Sequence, residues 1–438
     1  MEYNVREGIK MHREKIDDIR KMFIGLDAKV TVKGKGKIIP INFDNAATTP
    51  VLKKVMKYIL EVSEYYSSIA RGDGQKSQYC SDLYEEARLY LLDFFKAPKD
   101  KYTAIFVNNT TEGINKLSNI LIDNKEDIVI VTRMEHHSND LPWRGKCDLK
   151  YVEVDELGRI RYEQLSELFN KYPNKIKYVS ITGASNVSGY INDIRRIAKL
   201  VHENGAKLIV DGAQLVPHRE VFIKGNSNDS IDFLVFSAHK IYAPFGSGAI
   251  IGLKDELNKN PPDIKGGGTV EMVLDNREVW LDTPEKNEAG SPNFFGAIAL
   301  VKALQEIKKI GFDIIEENEK VLFANLVKGM KCFNRVKLYG DNENIEDRVG
   351  ILIFNINGMK YEEVGENLAN IRAIAVRQGG FCAHTYTRRM LGIKDDEIEE
   401  YIKKNGMPGM VRASLGVYNS QKEVDIFLET IEYMCKKL

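Results

Sequence analysis

The apolar run Asp232-Phe233-Leu234-Val235-Phe236 delivers Ser237, His239 and Lys240 into a turn containing Pro244, Gly246 and Gly248. Such a run reads as a buried strand, and the glycines after it let backbone approach a ligand closely. Burial disfavours an ammonium, so a lysine here is poised to become a free amine near neutral pH, the state a Schiff-base lysine requires. Taken alone, Lys240 is equally explained as a solvated loop residue. Three other apolar runs end in comparable fashion. After Ile105-Phe106-Val107 comes Asn108-Asn109-Thr110-Thr111-Glu112-Gly113, where small polar residues open a helix whose N–H groups and dipole suit a phosphate. After Ile209-Val210 comes Asp211-Gly212-Ala213-Gln214, a carboxylate at a sheet edge, and after Ile130-Val131 the segment Thr132 to Asn139 brings His136 to the same level. Each has an ordinary structural explanation: a helix cap for Thr110 or Asp211, a satisfied core histidine for His136.

Together, a phosphate cradle, a carboxylate, a flat ring and a poised lysine on adjacent strand ends describe a site for pyridoxal 5'-phosphate. The lysine would form the Schiff base, Asp211 would keep the pyridine nitrogen protonated, and the helix terminus would take the phosphate.

The elements that must position these residues follow from periodicity. Apolar runs at Ala104–Val107, Ile128–Val131, Tyr151–Val154, Tyr178–Ile181, Leu208–Val210, Phe233–Phe236 and Ala249–Ile251 alternate with amphipathic stretches such as Glu112–Leu121, Tyr162–Phe169 and Asp193–Glu203. This is an α/β pattern, and continuous apolar strands imply a mostly parallel sheet covered on both faces, with ligands at the strand carboxyl ends. Ahead of it, Glu14–Phe23 has helical spacing, Lys33-Gly34-Lys35-Gly36-Lys37 reads as a turn between short strands, and Thr49-Pro50 suits the start of a helix over Val51–Tyr65. Helical patterns at Phe294–Ile310 and Phe312–Val327 lead to a region with its own strands (Val336–Leu338, Gly350–Ile356) and helices (Glu363–Asn370, Lys422–Lys436). The expected organisation is an N-terminal segment (1–50) joining the small domain, a large cofactor-binding domain (51–310) and a smaller C-terminal α+β domain (311–438).

Composition narrows the class. The chain has 438 residues, 43% hydrophobic and 29% charged, ordinary for a globular protein with a large core. Lys+Arg and Asp+Glu both number 63, so there is no electrostatic case for nucleic acid or an anionic membrane, and no apolar run is long enough to span a bilayer. Cys80, Cys147, Cys332, Cys382 and Cys435 are odd in number and scattered, without paired metal-ligand spacing, which points to reduced thiols and a cytoplasmic location and away from a metal.

Beyond these local readings, the chain resembles the class V aminotransferase-like enzymes of fold type I, most closely the group II cysteine desulfurases and selenocysteine lyases. The motifs run almost end to end: Asp44-Asn-Ala-Ala-Thr-Thr-Pro50, Tyr84-Glu-Glu-Ala-Arg88, Glu135-His-His-Ser-Asn139, Ser185-Asn-Val-Ser-Gly189, Asp211-Gly-Ala-Gln214, Ser237-Ala-His-Lys240, Gly266-Gly-Gly268, Glu288-Ala-Gly-Ser-Pro-Asn293 and Val411-Arg-Ala-Ser-Leu415. The resemblance implies that Lys240 holds the cofactor and moves the Cα proton, that Asp211 pairs with the ring nitrogen, that Gln214 and Asn186 lie near the phenolic oxygen, and that His136 stacks on the ring. Thr110, Thr111, Ser237 and His239 fall at phosphate positions. Gly290 and Ser291 stand where the family has a Gly-Thr pair reaching the phosphate of the neighbouring subunit, implying a homodimer with shared sites. Arg412 would hold the substrate carboxylate through its fork, with Ala46 and Asn186 beside the substrate.

The reaction turns on Val376-Arg377-Gln-Gly-Gly-Phe381-Cys382-Ala383-His384. In the desulfurases a cysteine at this place attacks the sulfur of the bound substrate, leaving a persulfide and releasing alanine. Arg377 and His384 could favour the Cys382 thiolate. The related enzymes usually carry Gly-His-His-Cys where this chain has Gly-Gly-Phe381-Cys382, and Ile69-Ala70-Arg71-Gly72 lacks histidines usual around its Arg-Gly pair. The resulting expectation is a desulfurase that converts L-cysteine to L-alanine through a Cys382 persulfide. The alternatives are a lyase for L-selenocysteine or another C–S substrate, or a cofactor-bearing scaffold that turns over slowly alone and delivers sulfur only when an acceptor protein docks near the Cys382 loop. The acceptor pathway, iron–sulfur cluster assembly or another, is not specified by these residues.

Overall fold

The computed structural model describes residues 15–69, 72–226, 228–243 and 245–438. Glu14, expected to open the first helix, and Ala70, Arg71 and Pro244 lie outside the described residues. The described chain begins with a helix over 15–21. A hairpin of β1 (Val30–Val32) and β2 (Gly36–Ile38) follows, closed by the lysine-glycine turn, and then the short β3 (Ile41–Asn42).

Seven strands build the central sheet: β4 (Tyr102–Val107), β5 (Ile128–Thr132), β6 (Asp148–Val152), β7 (Ile176–Thr182), β8 (Lys207–Asp211), β9 (Phe233–Ser237) and β10 (Gly248–Leu253), in the order β4-β10-β9-β8-β7-β5-β6. All seven coincide with apolar runs in the sequence. Strand β6 was expected at Tyr151–Val154 but starts at Asp148, because pairing with β5 sets its register from Ile128↔Asp148 onward. Five strands run parallel from β9 to β6, whereas β10 is antiparallel to both β9 and β4. Reversing one strand between two others leaves β4 pointing the same way as the parallel set.

Pleating divides the apolar side chains between two faces. Ala104, Ile130, Leu208, Leu234 and Ile251 join the core with helices Gln75–Phe94 and Phe294–Ile310. Ile105, Val129, Ile209, Val235 and Ile250 face helix Thr110–Leu121. Both faces are covered, which is why these strands read as continuous apolar runs. Gly113 lets helix Thr110–Leu121 lie close, since a Cβ there would meet Val235 Cγ1 at 2.5 Å.

An exposed hairpin, β11 (Val270–Leu274) with β12 (Arg277–Trp280), precedes the long helices Phe294–Ile310 and Phe312–Met330. The C-terminal part contains β13 (Val336–Leu338), β14 (Ile351–Ile356), β15 (Ile374–Ala375), β16 (Arg377–Gly379) and β17 (Met410–Ser414). Four of these form an antiparallel sheet in the order β13-β14-β17-β16. Its own core gathers Leu326, Phe354, Leu368, Val424 and Phe427 beneath helices Tyr361–Arg372 and Gln421–Lys437. The N-terminal segment reaches this part directly, as β3 pairs in parallel with β15 and Arg20 bridges Glu423 at 2.9 Å. Among the described residues no helix is long and apolar enough to cross a membrane.

One local expectation is corrected. The helix after Pro50 spans Lys53–Ser63, and its N-cap is Leu52, not Thr49. Thr49 is drawn away by the lysine-bearing loop: its N–H and hydroxyl both donate to the His239 carbonyl at 3.0 Å, and the hydroxyl accepts from the Tyr242 N–H at 2.9 Å.

Candidate active site

Register brings the chemistry to one level. Gly248 pairs with Val107 on one side and Ser237 on the other, while Thr182, Asp211 and Val235 form a row across β7, β8 and β9. The carboxyl ends of β4, β5, β7, β8 and β9 therefore open onto a single cavity of about 650 Å³, large enough for a cofactor with a small substrate. Ala46, Thr110, Thr111, His136, Asn186, Asp211, Gln214, Ser237, His239, Lys240, Cys382 and Arg412 all line it. Gly290 and Ser291 do not; they are exposed on a separate loop.

At one end stands the N-terminus of helix Thr110–Leu121. Asn109 caps it, accepting from the Glu112 N–H at 2.9 Å, so Thr110 is free of that duty. Ser237 Oγ accepts from the Thr110 N–H at 2.8 Å and shares a 2.7 Å hydrogen bond with its hydroxyl, while Thr111 and Ser138 share one of 2.6 Å. This end offers hydroxyls, helix N–H groups and the His239 ring to an anion. Burial, and then Lys240, push the pKa of His239 down to about 4.

The middle of the cavity is flat and partly apolar. His136 Nδ1 accepts from the Ser138 N–H at 3.1 Å, which leaves the ring proton on Nε2. Burial, followed by the nearby Lys240, His137 and Arg412, holds its pKa down at about 3, so the ring is neutral. Opposite charges sit below. Asp211 is buried, its pKa raised by that burial, and one of its oxygens accepts the Ala213 N–H at 2.9 Å. The Lys240 pKa falls to about 8, first through burial, with Asp211 pulling it up, Arg412 down and Cys382 up. The Gln214 amide donates to the Ala46 carbonyl at 2.7 Å, tying the Asp44–Pro50 loop to β8.

The far end is built from the C-terminal sheet. Arg377 on β16 and Arg412 on β17 are direct cross-strand partners, a like-charge pair that is unfavourable unless compensated. Asp44 compensates it, bridging Arg377 at 2.7 Å and Arg412 at 3.1 Å. Arg377 thus shares its charge with Asp44 and is not committed to Cys382. Arg412 also donates to the Asn186 carbonyl at 2.8 Å and lies 5.2 Å from the centroid of Phe381. Burial lowers its pKa to about 10, and its Nε is buried without a partner. Cys382 is exposed and sits in the loop after β16, where it and Phe381 both adopt left-handed backbone with φ of +53° and +52°.

Gly290 and Ser291 are positioned from behind. Glu288, two residues before Gly290, accepts from Arg88 at 2.9 and 3.0 Å, from the Tyr84 hydroxyl at 2.9 Å and from the Phe106 N–H at 2.7 Å. Tyr84, Arg88 and Glu288 thereby form one buried cluster that joins the two motifs and fixes the loop to β4.

Sequence reasoning passed over Asp44, Ser138 and His137. The first lay in a motif already singled out, at the end of β3, but only the β16–β17 register reveals the two arginines it serves. The other two flank His136 or follow it, and their partners are remote in the chain.

The residues suit pyridoxal 5'-phosphate. The Lys240 amine lines the cavity without a hydrogen-bond or ion-pair partner among the described residues, Asp211 keeps one oxygen uncommitted, and the Arg412 Nε is unpartnered. Comparison with known proteins agrees. Residues 41–427 match the family described as Aminotransferase class-V. A probable cysteine desulfurase of Pyrococcus abyssi is 34% identical over 91% of this chain and 95% of its own length. The apo structure of a cysteine desulfurase from Thermococcus onnurineus NA1 superposes with a TM-score of 0.80 at 32% identity, covering 91% of this chain and 95% of that one. A probable cysteine desulfurase 1 of Mycobacterium leprae is 32% identical over 92% of this chain, which spans only 62% of that relative's length.

The fold and the site define a pyridoxal 5'-phosphate-dependent enzyme of fold type I. The chain belongs to the aminotransferase class-V family and, within it, to the cysteine desulfurase family.

Proposed function

We propose that the protein is a cysteine desulfurase: it removes sulfur from L-cysteine, yielding L-alanine and a persulfide on Cys382 that is passed to an acceptor. The observation that carries this reading is the meeting of Lys240, Asp211, Arg412 and Cys382 on one cavity. When bound, the cofactor supplies an electron sink conjugated to the substrate Cα. Thr110, Thr111, Ser237 and His239 would hold its phosphate, His136 would cover its ring, and Asp211 would keep its ring nitrogen protonated.

Lys240, with its pKa near 8, is a base matched to neutral pH for moving the Cα proton. Arg412 would receive the substrate carboxylate on its free Nε edge while Asp44 and Asn186 keep its fork oriented. Cys382 attacks the substrate sulfur: an S–S bond forms, the Cβ–S bond breaks, and the electron pair left at Cβ is protonated to the methyl group of alanine. Substrate and enzyme thiol thus become alanine and persulfide with no outside oxidant. Phe381 keeps this end of the cavity apolar.

A homodimer belongs to the same reading. The exposed Gly290–Ser291 pair, anchored through Glu288, is suited to reach a neighbouring copy's phosphate. The test is to give purified, cofactor-loaded protein L-cysteine and, separately, L-selenocysteine, and to follow alanine and protein-bound persulfide. Cysteine should yield both, with the persulfide absent from Cys382→Ala. Persulfide formation retained in that variant, or alanine only from selenocysteine, would overturn the assignment.

A further inference from the structure

We propose that His137 is a positioning residue for Cys382, holding the loop that carries the thiol by using its imidazole as a stand-in for a backbone carbonyl; this rests on the reading of Cys382 as the nucleophile.

The loop needs outside support. Phe381 and Cys382 are consecutive residues in left-handed backbone, and neither is a glycine, so the conformation persists only where surroundings impose it. Those surroundings are specific. The Gly380 carbonyl accepts from the Ala383 N–H at 2.9 Å and the Thr387 hydroxyl at 3.1 Å, and the Phe381 carbonyl accepts from the Asn186 amide at 2.8 Å. Two further bonds, on either side of Ala383, both come from His137. Its N–H donates to the Cys382 carbonyl at 2.7 Å, and its ring Nε2 accepts from the His384 N–H at 3.3 Å. One residue thus grips the loop on either side of Ala383, as an extended strand would, except that the acceptor is a side chain.

The second bond does further work. His384 is the first residue of helix His384–Met390, and an N–H at a helix start has no partner within the helix. Accepting it leaves the His137 proton on Nδ1. The His384 ring packs edge-on against His137 at 4.5 Å between centroids, over Gly380, where a Cβ would meet its Cδ2 at 2.5 Å. The neighbours of His137 face the other way: His136 lines the cavity and Ser138 bonds both His136 and Thr111. The tripeptide His136-His137-Ser138 therefore joins the cofactor end of the cavity to the sulfur end through one short helical turn.

The experiment compares cofactor-loaded wild type, His137→Ala, His137→Gln and Cys382→Ala. Glutamine retains an acceptor oxygen at similar reach; alanine does not. In His137→Ala the kcat for alanine release from L-cysteine should fall about tenfold or more, as misplacement of a reacting group does, with KM within about twofold and the cofactor absorbance unchanged. Alkylation of Cys382 by iodoacetamide, resolved by peptide mass, should become several-fold faster because the loop is released. His137→Gln should restore both. The proposal is overturned if kcat and the alkylation rate in His137→Ala match wild type, or if His137→Gln is as impaired as alanine. Alanine release surviving in Cys382→Ala would instead remove the nucleophile assignment, and the alkylation rates would then decide alone whether His137 holds the loop.

Discussion

The two ends of the cavity are made differently. The cofactor end stands on the carboxyl ends of buried parallel strands: Ser237, Asp211 and Thr110 are at most 4% exposed, and each is fixed by a hydrogen bond from neighbouring backbone or to a neighbouring hydroxyl. The sulfur end is a loop from the C-terminal sheet, with an exposed thiol on Cys382, which like Phe381 before it is held in strained backbone. A resident cofactor benefits from a site that does not move, since groups locked by packing and hydrogen bonds need no reorganisation when it binds. On the proposed function, the Cys382 thiol meets a substrate inside and an acceptor outside, a task suited to a loop tied down by a few replaceable bonds.

Substitutions should separate the two ends. Lys240→Ala is expected to have the largest effect, lowering alanine release by ~10³-fold or more and abolishing the cofactor's lysine-bound absorbance band. Cys382→Ala should abolish persulfide while leaving that band unchanged; a band lost with the thiol would mean that the ends are not independent. Next in size is Arg412→Lys, which keeps the charge but loses the fork. It should raise KM for cysteine by roughly 10- to 100-fold, the worth of one or two charge-assisted hydrogen bonds, with little change in cofactor binding measured by titration.

Smaller effects sharpen the contrast. With the Lys240 pKa near 8, the amine is mostly protonated at pH 7 and mostly free at pH 9, so cofactor uptake by the apoprotein should speed up by about tenfold over that interval. The sign follows from burial: the folded state depresses this pKa from 10.5, and only the deprotonated form reacts with an aldehyde. A rise of about a hundredfold over the same interval, which the undepressed pKa of 10.5 gives, would show that Lys240 is not desolvated. The smallest change is Thr49→Ala, which removes the hydroxyl between the His239 carbonyl and the Tyr242 N–H. It should lower unfolding stability by about 1–2 kcal/mol in denaturant titration, leaving the Cys382 alkylation rate as in wild type.

Much of the cofactor end is legible in the sequence. Lys240, Asp211 and Thr110 each follow an apolar run, and a run buried on both faces announces a parallel strand whose end carries ligands. The Thr49 expectation failed because a cap motif records only local competition. The hydroxyl found better partners in the lysine-bearing loop, nearly two hundred positions away in the chain. Asp44 stood in a motif that could be quoted but not interpreted, since its role depends on Arg377 and Arg412 being opposite each other across β16 and β17.

By itself the sequence determined the α/β pattern, the seven strands, the residues at their ends and the family, because periodicity, turn chemistry and motifs are properties of neighbours along the chain. Only the tertiary structure decided that β10 runs backwards between β4 and β9, that Arg412 and Cys382 close the far side of a cavity opened by Lys240, and that His137 bonds the loop on both sides of Ala383. Those facts depend on strand order, register and the seating of one sheet against another, which are set by the packing of distant side chains and leave no periodic trace.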